Sequence, residues 1–139
     1  MNTKFEQISL KSGFMKHNGG VLFKTISENE YEFKTIISEN HLNAAGITHG
    51  GFIAALVDAG AGTAAHRSSD GNPCVTISLE LKFISPVQLG QELIGKTKIQ
   101  KKTKSMIFLT CELTVKNKIV ATASGVWKIL KLSGAGPGG

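Results

Sequence analysis

From Cys74 to Leu130 apolar and polar residues alternate with a period of two, the pattern of strands that bury one face. The clearest run sets Val75, Ile77, Leu79, Leu81 and Phe83 on one parity and Thr76, Ser78, Glu80 and Lys82 on the other. Ser85-Pro86 ends it. This parity predicts that the Val75 to Phe83 set faces the core and that Thr76 lies on the wetter face. The alternation returns in Ile107, Leu109, Cys111, Leu113 and Val115, and again in Ala121, Ala123, Gly125, Trp127 and Ile129 after a turn at Lys116-Asn117-Lys118. Leu93 to Lys101 completes a meander. Upstream, Val21 to Ile26 and Tyr31 to Ile37 read as a hairpin around Ser27-Glu28-Asn29-Glu30.

Between the two strand regions the period changes. Gly50 to Ala65 is rich in alanine, carries Phe52, Leu56 and Ala59 at helical spacing and is apolar nearly all round. Such a helix is normally buried, and a chain of antiparallel strands buries it by wrapping a curved sheet around it. Gly60 and Gly62 would each cost roughly 1 kcal/mol in a helix interior, which points to close approach by another element. Phe5 to Met15 reads as a short amphipathic helix broken at Gly13. The fold class is α+β, one long helix against one antiparallel sheet.

Composition narrows the class. With 139 residues, 41% of them hydrophobic and 19% charged, the chain is one globular domain. Its folded unit is expected over residues 1–132, and the Gly-rich stretch 133–139 reads as a flexible tail. No apolar run approaches the roughly 18 residues of a membrane span, and the first residues lack the apolar core of a secretory signal, so a cytoplasmic location without membrane partners is expected. Cys74 and Cys111 show no metal-ligand spacing, so they read as buried thiols and no metal site is expected. The net charge of +6 favours an anionic partner. A single arginine, Arg67, and 6% aromatic residues weigh against nucleic acid.

Two features carry chemistry. Asp58 stands about two turns into the apolar helix with no Lys, Arg or His three or four residues away on either side. An unpaired buried carboxylate is costly, so Asp58 either emerges at a surface or faces a polar cavity. The second feature is Asn43 to Gly51, which leads into the helix and ends in His49-Gly50-Gly51. Two glycines at a helix start leave backbone N–H groups open to a ligand, with the positive end of the helix dipole behind them. This is a ready oxyanion site. The alternative is a simple turn with Thr48 as N-cap, in which His49 is a structural histidine.

Taken together, Asn43-Ala-Ala-Gly46-Ile-Thr-His49-Gly50-Gly51 and Leu56-Val-Asp58 follow the pattern N-x-x-G-x-x-H-G-G-x-x-x-x-L-x-D. The chain resembles the hotdog-fold acyl-CoA thioesterases of the PaaI-like branch, in the 4-hydroxybenzoyl-CoA thioesterase superfamily. The likeness extends through Phe83-Ile84-Ser85-Pro86 and Lys104-Ser105 to about Leu130, nearly the whole folded chain. It implies hydrolysis of an acyl-CoA thioester, with no cofactor beyond the coenzyme A that the substrate itself carries. By similarity Asp58 is general base or nucleophile, the Gly50 N–H polarises the thioester carbonyl, Asn43 orients water or leaving group, and His49 positions the loop. Thr76 falls where some relatives place a hydroxyl that contacts the water, although its parity is that of the polar face. Gly51 and the hairpin residues Lys101, Lys102, Lys104 and Ser105 would meet the substrate, the lysines neutralising its phosphates; Lys96 and Lys98 lie in the same basic region. Thr103 stands where relatives carry a glycine. The same fold also hosts hydratases, which need a His/Glu or Asp/His dyad, and non-catalytic acyl-CoA-binding modules.

Helix geometry adds an expectation about assembly. Asp58 lies eight residues beyond Gly50, about 12 Å along one helix axis. One carbonyl cannot touch both, so a homodimer is expected in which one chain supplies Gly50 and Asn43 and the second supplies Asp58. The resemblance implies a dimer of such dimers.

Overall fold

A computed structural model describes residues 4–131; the Gly-rich tail expected over residues 133–139 lies outside the described residues. Seven antiparallel strands form one sheet: β1 (Glu6–Gln7), β2 (Leu22–Thr25), β3 (Glu30–Ile36), β4 (Cys74–Phe83), β5 (Glu92–Lys102), β6 (Met106–Val115) and β7 (Lys118–Ile129). Their spatial order is β1-β2-β3-β5-β6-β7-β4, so the crossovers place β4 at one edge beside β7. A four-residue helix, α1 (Phe14–His17), precedes β2, and the long helix α2 (Gly50–Ser68) crosses one face of the sheet. This is the architecture expected from the pattern.

The buried face of α2 carries Phe52, Ile53, Leu56, Val57, Gly60, Ala61, Ala64 and Ala65. Opposite them the sheet contributes Phe33, Leu93, Ile107, Leu109, Leu113 and Trp127. The two glycines inside the helix have the expected cause. A Cβ on Gly60 would enter the ring of Phe33, and one on Gly62 would sit 3.3 Å from the Trp127 Nε1. Gly95 of β5 meets the far end of the same Phe33 ring, at Cζ, while Gly60 meets it at Cγ, so one aromatic ring fills the layer between helix and strand backbones. Lys116 and Asn117 both take positive φ, 51° and 65°, and close the β6–β7 hairpin in the primed turn that matches strand twist.

Three expectations are corrected. The segment from Phe5 to Met15 is not a helix. Glu6 and Gln7 pair with Phe23 and Leu22, and the Ile8 N–H donates to the Val21 carbonyl at 3.1 Å. Helix forms only at Phe14–His17, because a few isolated turns are marginal in water while the open edge of β2 offers ready backbone partners. The helix start is capped by His49 rather than Thr48, and the helix runs one turn past Ala65. Finally, β4 does not bury a continuous apolar face. Its register against β7 shifts between Thr76 and Ser78, a bulge at Ile77. Val75, Ile77 and Phe83 are left 43%, 53% and 57% exposed.

Candidate active site

The loop from Ser38 to His49 is built before it reaches the helix. A short 3-10 turn at Glu39–His41 is closed by a capping box in which the Ser38 N–H donates to His41 Nδ1 at 3.0 Å. That bond fixes the tautomer, so His41 Nε2 carries the proton and donates to the Asn18 carbonyl at 2.6 Å. The imidazole is buried and stacks on Phe52, in the first turn of α2, with ring centroids 3.7 Å apart. Asn43 then folds the next turn, its Oδ1 accepting from the N–H groups of Ala45 at 2.9 Å and Ile47 at 3.3 Å. Thr48 donates through both its N–H and its hydroxyl to the Val87 carbonyl. The His49 N–H donates to the His41 carbonyl at 2.8 Å, and His49 Nδ1 accepts from the Gly51 N–H at 2.8 Å.

These bonds sort the predicted oxyanion donors. The Gly51 N–H is taken by His49, whereas the Gly50 N–H forms no hydrogen bond among the described residues. Gly50 and Asn43 share a cleft of about 410 Å³ whose walls include Ile53, Phe83, Pro86 and Val87. A Cβ on Gly50 would stand 3.3 Å from the tip of Phe83. Glycine there lets the aromatic wall approach the free donor, which also stands at the positive end of the helix dipole.

Asp58 is exposed on the outer side of α2, the first of the two positions its chemistry allowed. Its Oδ1 accepts a hydrogen bond from the Thr76 hydroxyl at 2.6 Å. The bulge makes that bond possible. Thr76 pairs with buried Trp127 and turns toward the helix, although simple alternation puts it on the opposite face. The structure therefore joins Asp58 with Thr76, and Asn43 with Gly50, and leaves the two pairs about 12 Å apart along one helix.

The basic hairpin forms a third cluster. Lys102 Nζ donates to the Ser68 carbonyl at 2.7 Å, closing the C-terminus of α2. Thr103, in place of a glycine, shapes the tip: its Oγ1 accepts from the N–H groups of Ser105 and Met106. Lys101 and Lys104 stay exposed, and Lys96 and Lys98 point from β5 to the outer face of the sheet among Glu30, Thr110 and Glu112. Ser68 is ten residues beyond Asp58 and eighteen beyond Gly50, roughly 15 Å and 27 Å of helix, so the hairpin accompanies Asp58. One contributor has no distinctive sequence signal, His41, a lone histidine in a polar stretch; Phe83 stands out only within the Phe83-Ile84-Ser85-Pro86 likeness, with no role attached to it.

Residues 45–122, more than half of the chain, match the thioesterase superfamily. The chain belongs to that superfamily. It is 35% identical to a candidate esterase of Pseudomonas aeruginosa over 67% of this chain and 70% of that protein. It is 32% identical to mouse acyl-coenzyme A thioesterase 13 over 61% of this chain and 62% of that protein, so it spans less than two thirds of the mouse enzyme. Its fold superposes on the Escherichia coli PaaI protein of the phenylacetic acid degradation operon with a TM-score of 0.77, at 20% identity, covering 88% and 84% of the two chains. No helix among the described residues is long and apolar enough to cross a membrane.

Proposed function

We propose that this protein hydrolyses acyl-CoA thioesters in two composite sites, each shared between two copies of the chain. The observation that carries the reading is the split site itself. A carboxylate held by a hydroxyl at 2.6 Å and a free helix-terminal N–H beside Asn43 are complementary halves of a thioesterase centre. Neither half is complete alone. β4 supplies the means of joining them: a ten-residue edge strand with exposed apolar side chains is normally covered by pairing. Two copies paired along β4 would bring the Asn43–Gly50 cleft of one toward the Asp58–Thr76 pair of the other.

In such a site the Gly50 N–H and Asn43 polarise the thioester carbonyl and hold the oxyanion that develops. Thr76 occupies Asp58 Oδ1 and fixes the carboxylate, leaving Oδ2 for the reaction. As general base, Asp58 takes a proton from water while the water oxygen bonds to the carbonyl carbon. The C–S bond then breaks, and the proton passes to the departing thiolate, giving free coenzyme A and a carboxylic acid. As nucleophile, Asp58 would form a mixed anhydride that water cleaves to the same products. Exposed Lys101 and Lys104, in the hairpin whose Lys102 closes α2, would neutralise the phosphates of coenzyme A. Among the described residues the hydrogen-bond partner of the Asp58 carboxylate is the Thr76 hydroxyl and not a histidine.

Turnover of a panel of acyl-CoAs separates an enzyme from a binding module. Asp58→Asn is expected to lower kcat by at least ~100-fold with the fold intact by circular dichroism. Near wild-type turnover in the folded variant would reject the assignment.

A further inference from the structure

Of the four histidines, His17, His49 and His66 are exposed and only His41 is buried, at 2%. The proposed chemistry does not use it. A buried imidazole is costly unless both ring nitrogens find partners, and here both do: Nδ1 takes the Ser38 N–H and Nε2 reaches the Asn18 carbonyl. These partners come from different parts of the chain. Ser38 begins the loop to which His41 itself belongs, whereas Asn18 caps the C-terminus of α1, twenty-three residues before His41. Asn18 is itself held in place, its N–H and its Nδ2 both donating to the Phe14 carbonyl, at 3.0 Å and 2.8 Å. The ring is thus a post between the N-terminal segment and the loop that leads into α2.

His41 also stands at the base of a narrow hairpin. Its carbonyl takes the His49 N–H at 2.8 Å, Leu42 bridges Thr48, and the Asn43 N–H donates to the Ile47 carbonyl at 2.8 Å. Asn43 therefore lies two residues up one arm from His41, and Gly50 follows His49 at the foot of the other. On the helix side the imidazole lies flat on Phe52, 9° from parallel with ring centroids 3.7 Å apart. Phe52 is two residues beyond Gly50. Gly50 is thus bracketed by two contacts with one residue, the backbone bond to His49 before it and the ring stack on Phe52 after it.

On the thioesterase reading above, we propose that His41 is a positioning residue for the oxyanion half of the site: it fixes the separation of Asn43 from the Gly50 N–H and the direction of that N–H, and it anchors both to the N-terminal segment through Asn18. Being buried, it touches no reacting atom. Its effect falls on rate rather than on binding, because a donor displaced by about 1 Å still admits the substrate but meets the developing oxyanion poorly, and such a displacement costs up to about 10²-fold.

The test measures kcat and KM, on two acyl-CoAs that the wild type turns over, for His41→Asn, His41→Gln, Phe52→Leu and Ile99→Ala, each at a temperature where its denaturation curve shows it folded. Asn keeps an acceptor for the Ser38 N–H and Gln keeps a donor toward the Asn18 carbonyl, so each variant loses one tie. Both should lower kcat by ~10- to 100-fold, by the same factor on the two substrates because the carbonyl is common to them, with KM within about threefold of the wild type. Phe52→Leu, which removes the stack from the helix side, should lower kcat in the same direction. Ile99→Ala, a core truncation on β5, should keep kcat within about twofold despite its lost stability. Wild-type kcat in both folded His41 variants, a loss carried by KM, a loss that differs between the substrates, or an equal loss of kcat in Ile99→Ala overturns the positioning role and leaves the thioesterase reading standing. Should neither His41 variant fold, Phe52→Leu decides, and an unchanged kcat there overturns the role. A wild type inactive on every acyl-CoA overturns the thioesterase reading first, and the role of His41 with it.

Discussion

Cys74 and Cys111 lie close to the same sheet and are expected to behave oppositely. Cys111 is buried on β6, and burial pushes its thiol up to about 12, far above the usual range near 8.5. Cys74 is only half-buried, a partial departure from the expectation that both thiols are enclosed. A thiol reagent at neutral pH should therefore label Cys74 in the native protein, with Cys111 reacting only on unfolding. The same shift bears on stability. Above about pH 8.5 the unfolded thiol ionises while the folded one stays protonated, so the contribution of Cys111 is full below that pH and is lost as pH rises toward 12. Between pH 8 and 10 the unfolding free energy should fall by on the order of 2 kcal/mol more in the wild type than in Cys111→Ala, read from denaturant midpoints. Equal slopes for the two proteins would show that Cys111 is not the titrating group.

The elements are held in register by small residues facing large ones. Phe33 lies between Gly60 of α2 and Gly95 of β5, and any Cβ at either glycine intrudes on its ring. Gly60→Ala sets two effects against each other, a gain of about 1 kcal/mol in helix propensity and an overpacking cost of roughly 1–3 kcal/mol. Backbone closes on both ends of the ring, so overpacking should win, with net destabilisation of about 1 kcal/mol in urea unfolding. Phe33→Leu in the same chain should recover part of it. If Gly60→Ala alone stabilises the protein, the helix and β3 are not in the contact described. The bulge at Ile77 is the other decisive feature at this scale, because it turns Thr76 from the outer face to the hydroxyl bond with Asp58.

At the scale of the whole molecule, the proposed composite site requires two copies of the chain to meet. On the proposed composite site, Asp58→Ala and Asn43→Ala should each inactivate the protein, since each would remove part of every site. Mixed and allowed to exchange subunits, they should recover activity, because a heterodimer pairs the intact Asn43 of one chain with the intact Asp58 of the other. Random association makes half the dimers mixed with one good site each, so recovery approaches roughly a quarter of wild-type activity. Ile77→Glu, which places a charge on the exposed edge of β4, should shift the protein toward monomer in sedimentation and abolish turnover. Verified exchange without recovery, or an active monomer, would reject the composite site.

Much of this was legible in the residues. The period-two runs specify their strands, the Ala-rich stretch specifies α2, and Gly60 and Gly62 announce that something large approaches. The spacing of Gly50 and Asp58 alone, at 1.5 Å of rise per residue, shows that they cannot serve one carbonyl within one chain. What tertiary structure decided was pairing and direction. The first segment lies along β2 because a strand edge offers it hydrogen bonds, and nothing in Phe5 to Met15 records that edge. Lys102 closes a helix that ends thirty-four residues earlier in the chain. Thr76 faces Asp58 because β4 and β7 slip by one residue at Ile77. A bulge is a property of two strands together, set by how each satisfies the backbone of the other, and the alternation within one strand carries no trace of it.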